Sequence, residues 1–134
     1  ASSLIFSLHY GDRSDRKRLV LGPAVSLNVA TDWMVLAQLD FVKRLAGSQG
    51  ADLGVVQYVR LNYELLRGLH LYAIEELSQL DTSQVSTRKF ALGLGAQWFP
   101  RPHFEFQLGL RRVDFSNPVV GDTDSLVVLL HYYL

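Results

Sequence analysis

Four histidines, His9, His70, His103 and His131, are the side chains best suited to metal binding or proton transfer in this chain. No two of them stand four residues apart, the spacing that puts a pair of ligands on one helical face. The chain has no cysteine, which removes thiolate ligands, a thiol nucleophile and disulfides. No metal and no cofactor is expected. Ser7 and His9, and Ser125 and His131, fall on common faces if these segments are extended, and Asp12 and Asp15 follow His9. A serine–histidine–acid hydrolase would need such groups within hydrogen-bonding reach. Serine and aspartate are also ordinary residues of strands and loops, so an enzyme ranks third among the functional readings. His9, His70 and His131 read more simply as hydrogen-bonded side chains on a polar face, and His103 as a residue beside a turn. Ala91-Leu92-Gly93-Leu94-Gly95 has the glycines of a phosphate loop but no helix to follow it. Its glycines alternate as strand residues do.

The elements that carry these residues have a period of two. Apolar residues alternate with polar or small ones from end to end, the pattern of strands with two unlike faces. Eight strands are expected, at 3–10, 17–30, 32–43, 53–66, 68–79, 87–99, 102–115 and 124–134. The connections alternate in length. Those at Gly11–Arg16, Arg44–Asp52, Leu80–Ser86 and Ser116–Thr123 read as long, and those at residues 30–32, 66–68 and 99–102 as tight. Both ends of the chain then lie on the tight-turn side. Hydrophobic residues make up 49% of the chain, yet no run approaches the roughly 18 apolar residues of a membrane helix. Thirteen basic residues balance thirteen acidic ones, so charge does not point to nucleic acid. No signal peptide precedes Ala1-Ser2-Ser3, which reads as a processed chain or a piece of something longer.

One face is bulky and apolar on nearly every strand. The other carries Gly, Ala, Ser, Asn and Gln, with the charged residues Arg18, Asp40, Arg60, Glu64, Glu76, Glu105 and Arg111. A soluble barrel with the apolar face inward is one reading. Leu and aromatic residues on every strand would overfill so small an interior, and a solvated outer face would carry more Lys and Glu. The aromatic residues also cluster by depth. Trp33, Tyr63, Trp98, Phe104 and Tyr132 lie beside the tight turns or the C-terminus, and Tyr10, Phe41 and Phe90 near the long connections. Two belts of this kind belong at the two interfaces of a bilayer. The expected fold is an all-β, antiparallel, up-and-down transmembrane β-barrel in a single domain, 1–134, with the apolar face toward lipid and the charged residues toward the lumen.

The last strand, with Leu126, Val128, Leu130, Tyr132 and Leu134 alternating on one face, resembles the C-terminal assembly signal of bacterial outer-membrane β-barrel proteins. Leu134 stands where that signal usually has a terminal Phe. The segment from Leu94 to Glu105 is similar to a strand–turn–strand near the end of larger porin-like proteins. The resemblance implies a bacterial outer-membrane location with both ends periplasmic. It also implies insertion by the barrel-assembly machinery and contact with outer-membrane lipid.

The first functional reading is then a structural barrel that presents four outer loops around a side-chain-filled lumen. The second is the C-terminal part of a larger porin-like solute channel. One segment fits poorly. In Glu75-Glu76 regular alternation puts one carboxylate on the lipid face, about three residues earlier than strand seven turns polar. A bulge or a low rim is favoured over a protein partner at Glu75. Glu76 is expected to point into the lumen toward an arginine, with Glu75 at the outer interfacial boundary.

Overall fold

The computed structural model describes residues 2–13, 16–46 and 50–133. Eight antiparallel strands form one sheet in the order of the chain, each paired with its sequence neighbours. They are β1 (Ser3–Arg13), β2 (Arg16–Ala30), β3 (Trp33–Ala46), β4 (Gly50–Leu66), β5 (Leu69–Gln79), β6 (Arg88–Arg101), β7 (Phe104–Phe115) and β8 (Thr123–Tyr132). A short 3₁₀ turn, Val85–Thr87, precedes β6. The sheet is open. β1 pairs only with β2 and β8 only with β7, so the eight strands do not close on themselves.

The strands outrun the sequence reading where hairpin ladders continue past the apolar segment. Arg13 pairs with Arg16, and Ala46 with Gly50. Pairing thus extends into both segments that read as long connections, and residues 14–15 and 47–49 lie outside the described residues. Alternating apolar residues mark where a strand presents an apolar face, whereas backbone pairing goes on through polar residues as well. Among the described residues, the connections after β5 and β7 are long. The tight turns fall at Thr31-Asp32, Arg67-Gly68 and Pro102-His103. Gly68 takes φ +80° and His103 φ 68°, left-handed conformations that two-residue hairpins demand. β7 accordingly starts at Phe104 and not at residue 102. β6 runs to Arg101, with an irregularity between Trp98 and Arg101 that accommodates Pro100.

The register sorts side chains into two faces without exception along the regular ladders. Leu8 opposes Leu21, Leu21 opposes Phe41, and Phe41 opposes Val55 on one face. Ser7 and Gly22, or Gly95 and Gly109, oppose each other on the other face. The buried apolar residues Val42, Tyr72, Ala91 and Val113 all lie on the polar face, as do buried Asn62 and Glu105. Small residues on β6 make this possible. Tyr72 lies across Gly95 and reaches β7, where Gln107 donates a 2.8 Å hydrogen bond to its hydroxyl. A Cβ at Gly95 would stand 2.4 Å from the Tyr72 ring and 2.5 Å from the Leu108 carbonyl.

Gly95→Ala should thus lower the unfolding temperature, by an overpacking cost of about 1–3 kcal/mol. Gly121→Ala, in a loop with nothing within 4 Å of the added carbon, should leave it unchanged. Thermal melts of the two variants in one detergent check the contrast.

Candidate functional site

The most distinctive surface is the apolar face. Phe6 is 71% exposed, Leu94 66% and Leu126 64%. No second layer of helix or sheet covers this face among the described residues. The accessible surface is 9613 Å², against about 7,100 Å² for a compact monomer of this mass.

The pairing register shows the shape of the apolar zone. One row across the sheet runs Leu27, Val35, Leu61, Ala73, Leu94, Leu110 and Leu126, apolar on each of β2 to β8. A row nearer the connections after β1 and β3 runs Leu8, Leu21, Phe41 and Val55, and then turns polar at Gln79 and Arg88. The row between holds Leu4, Val25, Ala37 and Val59, then Glu75, Leu92, Arg112 and Asp124. The upper margin of the zone therefore descends across the sheet, from Tyr10 on β1 to Leu126 on β8. Tyr10 pairs with Leu19, whereas the row of Leu126 crosses β2 at Leu27, eight residues further along. At about 3.4 Å per residue and 4.8 Å per strand, that drop over the width of the sheet is a slant of about 40°.

The lower margin carries the aromatic residues singled out in the sequence and falls in the same sense, less steeply. It passes Trp33, Tyr63, Trp98 and Phe104 to Tyr132. The row of Trp33 and Tyr63 crosses β8 at Val128, four residues short of Tyr132. Trp33 and Tyr63 stack with ring centroids 4.6 Å apart. Leu126, Val128, Leu130 and Tyr132 share the exposed apolar face of β8, and Leu134 lies outside the described residues.

Glu75 finds its place in this frame. The ladders on both sides of β5 are regular through residues 75 and 76, so there is no bulge and Glu75 lies on the apolar face. The straight line from Tyr10 to Leu126 crosses β5 between Leu77 and Glu75. The carboxylate therefore sits about one and a half residues inside the margin, where Gln57 on β4 approaches it at 3.4 Å. Counting residues from each strand's own turn exaggerates the intrusion, because the margin crosses the strands obliquely.

The seven charged residues Arg18, Asp40, Arg60, Glu64, Glu76, Glu105 and Arg111 share the polar face. They do not converge on one site. Glu76 on β5 pairs with Arg111 on β7, across the small residues of β6, with about a third of each side chain exposed. Glu105 is buried and accepts from the Tyr133 hydroxyl and from Gln97 at 2.5 Å, with His131 Nδ1 at 3.2 Å. Arg60 donates to Asn62 at 2.8 Å and to Gln97 at 3.2 Å, and its guanidinium lies 4.4 Å from the Tyr72 ring centre. Glu64 accepts from the Gly68 amide at 3.3 Å, closing the tight turn. Asp40 accepts from Gln38 at 2.8 Å and overlies Gly22, where an added Cβ would touch it. Arg18 faces Arg44 across the β2–β3 ladder, and the Arg44 guanidinium donates to the Leu80 carbonyl.

The candidate catalytic groups are not brought together. Ser7 donates to the Gly22 carbonyl at 3.2 Å and Ser125 to the Arg111 carbonyl at 3.2 Å, neither to a histidine. Asp15 lies outside the described residues. Among the described residues no cluster of His and carboxylates has metal-binding geometry. Sequence reading missed the tyrosines and amides that hold the charged groups, Tyr72, Tyr133, Gln97 and Gln107. The signal was available in the run of small residues at alternate positions of β6, which leaves room for long side chains from β5 and β7.

No protein-family model, no curated protein and no solved structure matches the chain.

Two predictions follow from the charged groups. In the loop after β5, the Ser83 hydroxyl and amide both donate to Asp81, at 2.6 and 2.9 Å, and hold its carboxyl below the usual carboxylate range. A lowered value means the anchor is complete above the ordinary carboxylate range and is lost as pH falls through the lowered one. Exchange protection of the Ser83 amide should fall at acid pH in the wild type, and Asp81→Asn should remove that pH dependence. In the sheet, Glu76→Leu should destabilise by roughly 1–2 kcal/mol by stranding Arg111, a modest figure because both groups keep some solvent. Glu75→Leu should be neutral or stabilising. Melts of both variants in detergent check the order.

Proposed function

We propose that this chain forms part of the wall of a bacterial outer-membrane β-barrel wider than eight strands, with its apolar face in lipid and its polar face lining a water-filled, solute-conducting lumen. The slant of the apolar zone carries the reading. A flat slab of hydrocarbon crosses strands tilted by 35–45°, and so leaves on the sheet an apolar stripe oblique to its rows by that angle. A sheet that buried its apolar face against another protein layer would have no reason to show that angle together with aromatic residues along the lower margin. The amphipathic β8, similar to the assembly signal of outer-membrane proteins, supports the bacterial outer membrane as the location and the barrel-assembly machinery as the partner in insertion.

The width rests on the open edges. In a barrel of eight strands the polar side chains fill the interior and meet across it. Here the polar-face hydrogen bonds between strands join neighbours or strands once removed, such as β4 with β6 and β5 with β7. This favours the porin-like reading over a closed, filled scaffold.

The chain has two tryptophans, Trp33 and Trp98, and both lie exposed at the lower margin of the apolar zone. After reconstitution into vesicles, quenchers placed near the headgroups should quench their fluorescence more than quenchers at mid-bilayer. Stronger quenching from mid-bilayer, or none from either depth, would remove the membrane reading. Leu94→Arg, near the middle of the zone, should impair insertion at a cost of about 2–4 kcal/mol. Planar-bilayer recordings test the lumen, where stable conductance steps are expected and silence from inserted protein would restore the filled scaffold.

A further inference from the structure

We propose that the polar face holds a binding site for a small organic carboxylate, in a cavity shared by β4, β5 and β6. The proposal rests on the reading of this face as a lumen wall, and it names the class of solute that the wall would hold. The cavity measures about 110 Å³ and is lined by Val56, Tyr58, Glu76, Ser78, Lys89 and Ala91.

Register builds it. Val56, Ser78 and Lys89 stand in one row, and Tyr58, Glu76 and Ala91 in the next. Ala91 makes the room. It is 2% exposed and lies between Glu76 and Val113, so its methyl group forms a floor where a longer side chain would fill the space. The lining is mostly carbon with a few polar groups, the usual make-up of a small-molecule site. An enclosed apolar cavity of about 150 Å³ holds benzene. The smaller space here suits a body of roughly three or four carbons.

The polar groups at the cavity are of two kinds. Glu76 is committed to Arg111. The hydroxyls of Tyr58 and Ser78 and the ammonium of Lys89 have no side-chain hydrogen bond or ion pair among the described residues, whereas the hydroxyls of Tyr72 and Ser125 on the same face are engaged. Lys89 lies 5.9 Å from the Phe115 ring centre, a contact that steadies the ammonium without neutralising it.

Charge selects the ligand. Asp40 neighbours Val56 on β3 but turns away, toward Gln38 and Gly22. With Glu76 balanced by Arg111, the charge left at the cavity is the Lys89 ammonium, beside the Tyr58 and Ser78 hydroxyls. A carboxylate is the group that accepts from all of these, and its hydrogen bond to the ammonium is charge-assisted. A cationic solute would meet repulsion from Lys89, and a neutral amide would leave it uncompensated.

Butyrate is the probe, with butyramide and butylammonium as its neutral and cationic counterparts, each titrated by NMR against the protein in detergent. Butyrate is expected to bind about tenfold tighter than either. Lys89→Met, which keeps most of the apolar stem, should weaken butyrate binding about tenfold, and Lys89→Arg should restore most of it. Tyr58→Phe should weaken it less, with an unchanged melting temperature. Lys43→Met, on the apolar face opposite Leu19, should change nothing. Equal binding of the three probes, or an affinity for butyrate that ignores both Lys89→Met and Tyr58→Phe, would overturn the proposal. Butyrate selectivity that responds to these substitutions in a protein whose tryptophans are not quenched in vesicles would keep the site and remove the lumen. Quenching and conductance as expected, with no preference for butyrate, would remove the site alone.

Discussion

Everything in this structure depends on backbone hydrogen bonding carried continuously through an apolar region. Across the middle of the sheet the ladders run without a bulge. The register shifts fall between Asn28 and Ala30, between Glu64 and Leu66, and between Trp98 and Arg101, all beside tight turns. The β2–β3 ladder is interrupted between Leu21 and Ala24, where Gly22 and Pro23 go unpaired with β3 and Pro23 has no N–H to give. The register shifts are thus concentrated beside the tight turns, whereas the interruption at Pro23 falls within the apolar zone.

A continuous ladder then governs the side chains. With no bulge to rotate a strand, a residue's parity decides its face. Most apolar residues fall on one face and most polar ones on the other, with exceptions such as Glu75 and Arg112 on the first and Val42 and Val113 on the second. The polar face answers with complementary volumes. β6 contributes Ala91, Gly93 and Gly95, and over that furrow Tyr72, Glu76, Gln107 and Arg111 meet from the flanking strands. Burial, and with it most of the side-chain specificity, sits on the polar face, the reverse of a water-soluble sheet.

The faces, the number of strands and the lower aromatic margin were legible in the sequence because each depends on alternation within one strand. What was not legible depends on relations between strands. The ends of the β1–β2 and β3–β4 ladders read as loop because Asp12, Arg44 and Asp52 are polar, and polarity does not report pairing. Glu75 looked misplaced because its position was counted from its own turn, whereas the margin of the apolar zone crosses the strands obliquely and is set by register against neighbours. Arg111 as the partner of Glu76 could be anticipated only as some arginine, since the two strands are separated by β6. Closure is the least local property of all, as it follows from accumulated curvature and leaves no mark on any single strand.

Arg60 bears on what fills the space beyond the polar face. It meets Asn62, Gln97 and the Tyr72 ring, but no carboxylate among the described residues. In a dry, side-chain-filled interior an uncompensated guanidinium would cost several kcal/mol, more than two amide hydrogen bonds and a ring contact return. Beside water the same arrangement is unexceptional, because solvent screens the charge while the ring and amides hold its direction. The partial exposure of the Arg111–Glu76 pair agrees. The polar face thus combines buried groups such as Glu105 and Tyr72 with partly exposed charges such as Arg111 and Glu76, an arrangement that agrees with the proposed water-lined lumen.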